Sequence, residues 1–410
     1  MSGTRRAFLG YTALAGATVL AGAAGMRGVR FPPLRFDPDP VPRSARHSRL
    51  GFGAQGNGAY FQREDEDQLV WRAFVPEPIL RTNGTFTLRV GNIHPQAHLT
   101  VEGEVSLFSE KAQGLFRQVT GRTDNGAAIL RWTLPHNESY RFTAIGDTGG
   151  DRELAWALER SQQLGAHFIL HLGDIYYQLG DYDRAVAALA GSPLPVYTTA
   201  GNHDVHKGLD WSLADQFLSR IGPTNSTFQL GGIQFVNLDS AADTIPWSGG
   251  GRGRLLRALP ALADNPGIRD YVVFTHRPIS DPRPVDSRPS DHSIKRLGED
   301  NWLYKELTRR GVSNVLNGHI HNTFEVEDRQ LNVWIAGEGL AHRDIVHGRQ
   351  VARILVGDVT PGQAVGYRWE ELAMPFESHC NSRLRRDMEK YAGHFAEQLE
   401  RLAQACSKGN

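Results

Sequence analysis

Five apolar segments of this chain each end beside a side chain able to bind a metal, and this repetition constrains the fold more than any other feature. The segments are "RFTAI", "FILHL", "VYTTA", "YVVF" and "VSNVL", separated by helical stretches such as "DRELAWALERSQQL". Strand–helix alternation predicts an α/β arrangement with a largely parallel sheet. In such sheets, sites form at the carboxyl ends of the strands. "AIGDTGG" offers Asp147, "HLGDIYY" offers Asp174 and Tyr177, and "TAGNHDVH" offers Asn202, His203 and Asp204. "VVFTHRP" adds His276, and "LNGHIH" adds His319 and His321.

The donor types narrow the chemistry. Carboxylates and a carboxamide are hard donors and imidazoles are borderline, which suits a first-row transition metal better than Ca²⁺. Asp147, Asp174, Tyr177, Asn202, His276, His319 and His321 are too many for one tetrahedral ion. They fit two metals with a bridging carboxylate and open positions for water. Glycine stands before Asp147, Asp174, Asn202 and His319, and is expected to let the backbone turn off each strand. Tyr177 has three readings at this point: core packing, a hydrogen-bond donor, or a metal ligand. His171 lies in the middle of a strand and reads as structural. His206 and His292 carry weaker signals.

In order, these segments read GD-x-G, GD-x-x-Y, GNH-[DE], V-x-x-H and GH-x-H. This pattern, from Phe142 to Ile335, resembles the calcineurin-like metallophosphoesterases and, more narrowly, the purple acid phosphatases. In most of that superfamily the first motif is Asp-x-His. Here Gly149 stands in place of the histidine, and Tyr177 stands where purple acid phosphatases carry a ligating tyrosine. The resemblance implies a metallophosphoesterase α/β sandwich, with sheets flanked by helices. It implies a first metal, Fe(III), held by Asp147, Asp174, Tyr177 and His321. It implies a second, Fe(II), Zn or Mn, held by Asp174, Asn202, His276 and His319, with Asp174 bridging. The implied reaction is hydrolysis of phosphomonoesters by metal-bound hydroxide. His203 would be the general acid and would face the substrate, oriented by Asp204; relatives often carry Glu at that place. His292, in the polar loop "DPRPVDSRPSDHS", is a further candidate for binding substrate. A phosphodiesterase of the same fold, acting on nucleotides or phospholipid headgroups, is the alternative. A binding module with a degenerate fold would lack ligands, and all seven are present.

The rest of the chain frames this domain. "TRRAFLG" followed by "YTALAGATVLAGAAG" has a charged start, an apolar middle and a small-residue end, as an export signal does. The paired Arg5-Arg6 resembles a twin-arginine signal. That implies passage through the twin-arginine export machinery to a periplasmic or extracellular location, with no stable membrane span after cleavage. A Pro-rich linker follows. Period-two alternation, as in Phe86, Leu88 and Val90, then predicts a small all-β sandwich. The expected divisions are signal 1–25, linker 26–50, β-sandwich 51–138, catalytic domain 139–372 and a C-terminal amphipathic helix 373–410. That helix, read from Leu384 to Cys406, would hold its ends about 33 Å apart along the axis, so Cys380 and Cys406 are both expected as free thiols. Lys plus Arg equal Asp plus Glu at 45 each. No global field therefore recruits nucleic acid, and the expected partner is a small phosphorylated substrate.

Overall fold

The period-two segments become ten strands. In chain order they are β1 (Ser44–Arg46), β2 (Gly53–Asn57), β3 (Ala59–Glu64), β4 (Leu69–Ala73) and β5 (Ile79–Thr82), then β6 (Thr85–Gly91), β7 (His98–Glu102), β8 (Val105–Gln113), β9 (Phe116–Thr123) and β10 (Ala128–Thr133). They form two five-stranded sheets, ordered β1-β2-β5-β10-β7 and β3-β4-β6-β9-β8. Alternation sets the faces: Ala128, Leu130 and Trp132 of β10 are buried, and the residues between them are half-buried. One pairing departs from the antiparallel pattern, because β4 and β6 run parallel. The computed structural model describes residues 41–135, 137–177, 179–205, 211–242, 248–282, 292–294, 298–337, 345–346, 349–373 and 400. The export signal, His206, both cysteines and nearly all of the C-terminal helix lie outside the described residues.

The five apolar segments are strands too. They are β11 (Tyr140–Ile145), β12 (Phe168–His171), β13 (Val196–Thr198), β16 (Asp270–Thr275) and β17 (Asn314–Asn317). Joining them are β14 (Ser226–Leu230), β15 (Ile233–Leu238), β18 (Thr323–Asp328), β19 (Leu331–Ala336), β20 (Ile345–Val346), β21 (Arg349–Val359) and β22 (Gly366–Ala373). A largely parallel sheet was expected; the structure has two mixed six-stranded sheets. The first runs β13-β12-β11-β21-β20, with β22 on β21, and the second runs β14-β15-β16-β17-β19-β18. β11, β12 and β13 are parallel, as are β15, β16, β17 and β19. Antiparallel strands extend or flank these parallel cores. The parallel strands are nearly continuous buried runs because both of their faces are covered.

Helices α1 (Arg152–Gln163), α2 (Asp181–Ala190) and α3 (Trp211–Arg220) pack on the first sheet, where Leu158, Leu189 and Phe217 share a core with Ile169 and Val196. Helices α4 (Gly250–Ala258) and α5 (Glu299–Arg309) pack on the second through Leu256, Leu303 and Leu307. Between the sheets lies an aromatic layer. Phe142 stacks on Phe168 with centroids 5.6 Å apart, and Phe235 meets both edge-on at 5.4 and 5.5 Å. This layer shares one core cluster with Trp71 and Trp132 of the β-sandwich strands. Asn92 reinforces the joint, giving and accepting hydrogen bonds with the Val196 backbone at 3.0 Å each. The described residues therefore belong to one compact unit.

The same joint makes stability depend on acid. His94 is buried and stacks on His167 with centroids 6.0 Å apart. Burial, with His167 and Arg117 nearby, pushes His94 down to about 4, and burial lowers His167 as well. Between about 4 and 6.5 His94 binds more protons in the unfolded chain than in the folded one, so this stability is present above 6.5 and is lost as pH falls toward 4. For His94 the loss from pH 7 to pH 4.5 should be roughly 2 kcal/mol. Urea unfolding at both pH values, compared between wild type and His94→Gln, measures it. An equal pH difference in the two proteins would remove His94 from the account.

Candidate metal centre

The carboxyl ends of β11, β12 and β13 in one sheet meet those of β16 and β17 in the other, and the predicted ligands collect at that meeting point. Gly146 N donates to Ala336 O across the sheets at 2.8 Å. Two groups of donors form, each with its atoms within 4.8 Å of one another: Asp147, Asp174 and His321, and Asp174, His276 and His319. Asp174 belongs to both, which is the pattern of a bridging carboxylate between two metals. Tyr177 Oη sits among the first group, 3.4 Å from Asp147 Oδ1, 3.3 Å from Asp174 Oδ2 and 3.2 Å from His321 Nε2. Asn202 joins the second, with its Oδ1 3.0 Å from His276 Nε2. All seven sequence-predicted ligands therefore converge. Two carboxylates, three imidazoles, a carboxamide and a phenol suit two transition-metal ions.

The backbone reaches this arrangement differently from the sequence expectation. The ligands themselves turn the chain: Asp147, Asp174 and His319 have φ of 61°, 59° and 69°. Left-handed φ in non-glycine residues is uncommon, and such strain gathers at functional sites. Of the four preceding glycines, only Gly173 has positive φ, at 91°. Gly201 serves close approach instead. A Cβ there would stand 2.1 Å from Asp174 Oδ1 and 2.2 Å from its backbone nitrogen. Gly149, where most of the superfamily has its histidine, would place a Cβ 3.3 Å from the Tyr177 ring. The space a longer side chain would need is taken by the tyrosine.

Charge is shared out unevenly. Burial pushes Asp147 up to about 7. Burial acts on Asp174 too, but His276, with Nε2 3.5 Å from Oδ2, and His203 hold it below the ordinary carboxylate range. Against the penalty of burial, Asp174 and Asp147 raise His276 to about 9. Burial, together with the charges of His276 and Arg277, keeps His319 well below its usual value. A buried acid–base cluster of this kind favours a cation at its centre, because positive charge relieves the carboxylates directly.

The remaining candidates divide. His203 is exposed, with its ring 4.7 Å from that of Tyr177 and its backbone N donating to Asp174 Oδ1 at 2.9 Å. His292 lies with its ring 5.0 Å from that of His319. His171 is buried against Thr148, Nε2 to Oγ1 at 2.9 Å, and burial lowers it to about 3, which fits a neutral structural histidine. Asp204 does something sequence reading did not foresee. Its Oδ2 accepts from Asp174 N and Gly201 N, and its Oδ1 from Ile175 N and Tyr176 N, at 2.8 to 3.0 Å. The bonds expected to orient His203 go to the backbone of the bridging ligand's loop.

Three supporting residues were missed. Ser240 Oγ accepts from both His276 N, at 3.0 Å, and Arg277 N, at 2.7 Å. Asp181 Oδ2 accepts from Tyr177 N at 2.7 Å. Arg277 is buried, with Nη1 3.3 Å from His319 Nε2. Only Arg277 left a trace in the sequence, as a charge directly after a ligand at the end of an apolar strand.

Residues 140–323 match the family described as calcineurin-like phosphoesterase. Tartrate-resistant acid phosphatase type 5 from Oryctolagus cuniculus is 26% identical over 237 residues, 49% of this chain and 72% of that protein. Two similar solved structures are PhoD and a dimetal phosphatase from Danio rerio. PhoD has a TM-score of 0.42 at 12% identity, over 75% of this chain and 85% of its own. The Danio rerio structure has a TM-score of 0.39 at 14% identity, over 57% of this chain and 98% of its own. Together with the paired donor groups, the family match and the acid phosphatase relative identify residues 140–323 as a calcineurin-like metallophosphoesterase domain, and the protein that carries it as a phosphoric ester hydrolase.

Proposed function

We propose that the protein hydrolyses phosphate monoesters at a centre of Fe(III) and a divalent partner ion, Fe(II), Zn or Mn. The observation that supports this most is the position of Tyr177 Oη, within 3.4 Å of three donors of the first group, beside Gly149. Bound there, the two ions would supply Lewis-acid charge for the phosphoryl oxygens and a water of lowered pKa. The first would rest on Asp147, Asp174, Tyr177 and His321, and the second on Asp174, Asn202, His276 and His319. Leu172 O, 2.7 Å from His276 Nδ1, fixes that ring so that Nε2 faces Asp174 and Asn202. His203 is anchored through its backbone to Asp174 while its ring stays open to solvent, a placement that suits proton delivery to a leaving alkoxide. His292, with its ring 5.0 Å from that of His319, would meet substrate on that side.

An absorption spectrum and metal analysis on one oxidised sample test the centre. A visible band with iron present, lost in Tyr177→Phe, is the expected result. A colourless protein holding two zinc or manganese ions would keep the hydrolase and remove the phenolate–iron ligation. His203→Ala should lower kcat about 10²- to 10³-fold with metal content unchanged. Loss of metal in that variant would show that its role was misassigned. Rates on p-nitrophenyl phosphate and bis-p-nitrophenyl phosphate at equal concentration separate monoester from diester preference. The paired Arg5-Arg6 and the apolar run after it support export by the twin-arginine route. Among the described residues no helix is long and apolar enough to cross a membrane.

A further inference from the structure

A cleft of about 420 Å³ lies where the β3-β4-β6-β9-β8 sheet meets the carboxyl ends of α2 and α3. Arg63, Arg72, Arg89 and Arg220 line it, and among the described residues no acidic side chain does. Two of these charges are already answered at the rim. Arg63 pairs with Asp65 at 2.8 Å, and Arg220 pairs with Asp183 at 2.7 Å. The other two are not, among the described residues. Arg89 is held over the Phe116 ring, 4.5 Å from its centroid. Arg72 is 7% exposed; its Nε donates to Ile221 O at 3.2 Å, and its buried Nη2 has no hydrogen-bond partner among the described residues.

The sheet register accounts for the clustering. In the parallel pair, Val70 stands opposite Arg89 and Arg72 opposite Gly91. Side chains two apart share a face, so both guanidinium groups rise from the same patch. Gly91 leaves room there: a Cβ would stand 2.9 Å from the Phe116 ring. A buried guanidinium without a carboxylate is costly unless an anion or water completes its bonds. The bond to Ile221 O accounts for one donor of Arg72 and helps fasten the sheet to α3. It leaves the charge itself unanswered. Val186, Leu189 and Phe116 add apolar wall, the mixture typical of small-molecule sites.

We propose that this cleft is an anion site, binding the phosphoryl or equivalent oxyanion group of a small molecule apart from the metal centre. Planar forked donors match such groups. None of the metal-centre residues lines the cleft. The two places are joined through α2, whose first turn holds Tyr177 N through Asp181 and Asp204 O through Tyr182, and whose last residues line the cleft.

The test is equilibrium dialysis of the metal-loaded, full-length protein with radiolabelled inorganic phosphate, comparing wild type with Arg89→Gln. Arg89 is half-buried and takes no part in fastening α3, so this variant should fold. Arg72→Gln is the companion. The wild-type isotherm should contain one site more than that of Arg89→Gln, or that site should weaken at least about tenfold in the variant. Turnover of p-nitrophenyl phosphate should stay within about twofold. Phosphate at the metal centre appears in both isotherms and cancels, so the comparison is independent of the proposed reaction. Superimposable isotherms, or no Arg89-dependent site below about 1 mM, overturn the proposal.

Discussion

Asp174→Asn should abolish both metals and cost at least about 10³-fold in kcat/KM. Asp174 is the one residue shared by the two donor groups, and each of its oxygens is committed. Oδ1 accepts from His203 N at 2.9 Å, while Oδ2 faces both His276 Nε2 at 3.5 Å and Tyr177 Oη at 3.3 Å. An amide offers one lone-pair oxygen, and its NH₂ would point at one of these neighbours. Plasma mass spectrometry of the purified variant should give well under one metal per chain. Asp147→Asn provides the contrast, since Asp147 belongs only to the first group, and that variant should retain a single ion. Two metals per chain in Asp174→Asn would show that the bridging assignment is wrong.

Asp204→Ala is expected to be the most destabilising single change at the site, at about 3 to 5 kcal/mol. Asp204 is fully buried and accepts four backbone N–H groups from two loops. Removing the acceptor strands buried donors at about 1 to 3 kcal/mol each before relaxation. Burial and the nearby Asp174 charge push the carboxyl up to about 7, while the backbone donors pull the other way. Chemical denaturation of wild type and variant, with metal content on the same samples, checks the magnitude. A variant as stable as wild type, with only kcat reduced, would return Asp204 to the role of orienting His203.

The sequence carried much of this site and less of its support. Ligands sit at strand ends, and a strand end can be read wherever an apolar run breaks at glycine next to a donor. Asp147, Asp174, Asn202, His276 and His319 were legible for that reason. Tyr177 was legible only through the empty position at Gly149. Asp204 was misread because a carboxylate beside a histidine suggests a pair, whereas four backbone donors in two loops have no sequence signature. The turning role given to the glycines held only at Gly173, for a similar reason. φ is set by which atoms crowd the loop, and here the ligands take the left-handed conformation while Gly201 yields space. The two mixed sheets were also hidden, since β21 and β22 return from far along the chain to pair antiparallel beside β11.

The distance between ligands along the chain has a consequence for the order in which the protein is assembled. His319 N meets Asp147 Oδ2 across 172 residues, and Tyr177 meets His321 across 144. Closing loops of that length is costly in entropy, and the contacts that reward it come late. Neighbouring ligands such as Asp174 and Tyr177 could meet early, but neither donor group of three is complete until these distant segments are joined. Both sheets must already be built and joined before the second group of donors meets the first. Metal insertion is therefore expected late, on a nearly finished scaffold. The expected result is that metal added to the folded, metal-free protein restores activity without prior unfolding.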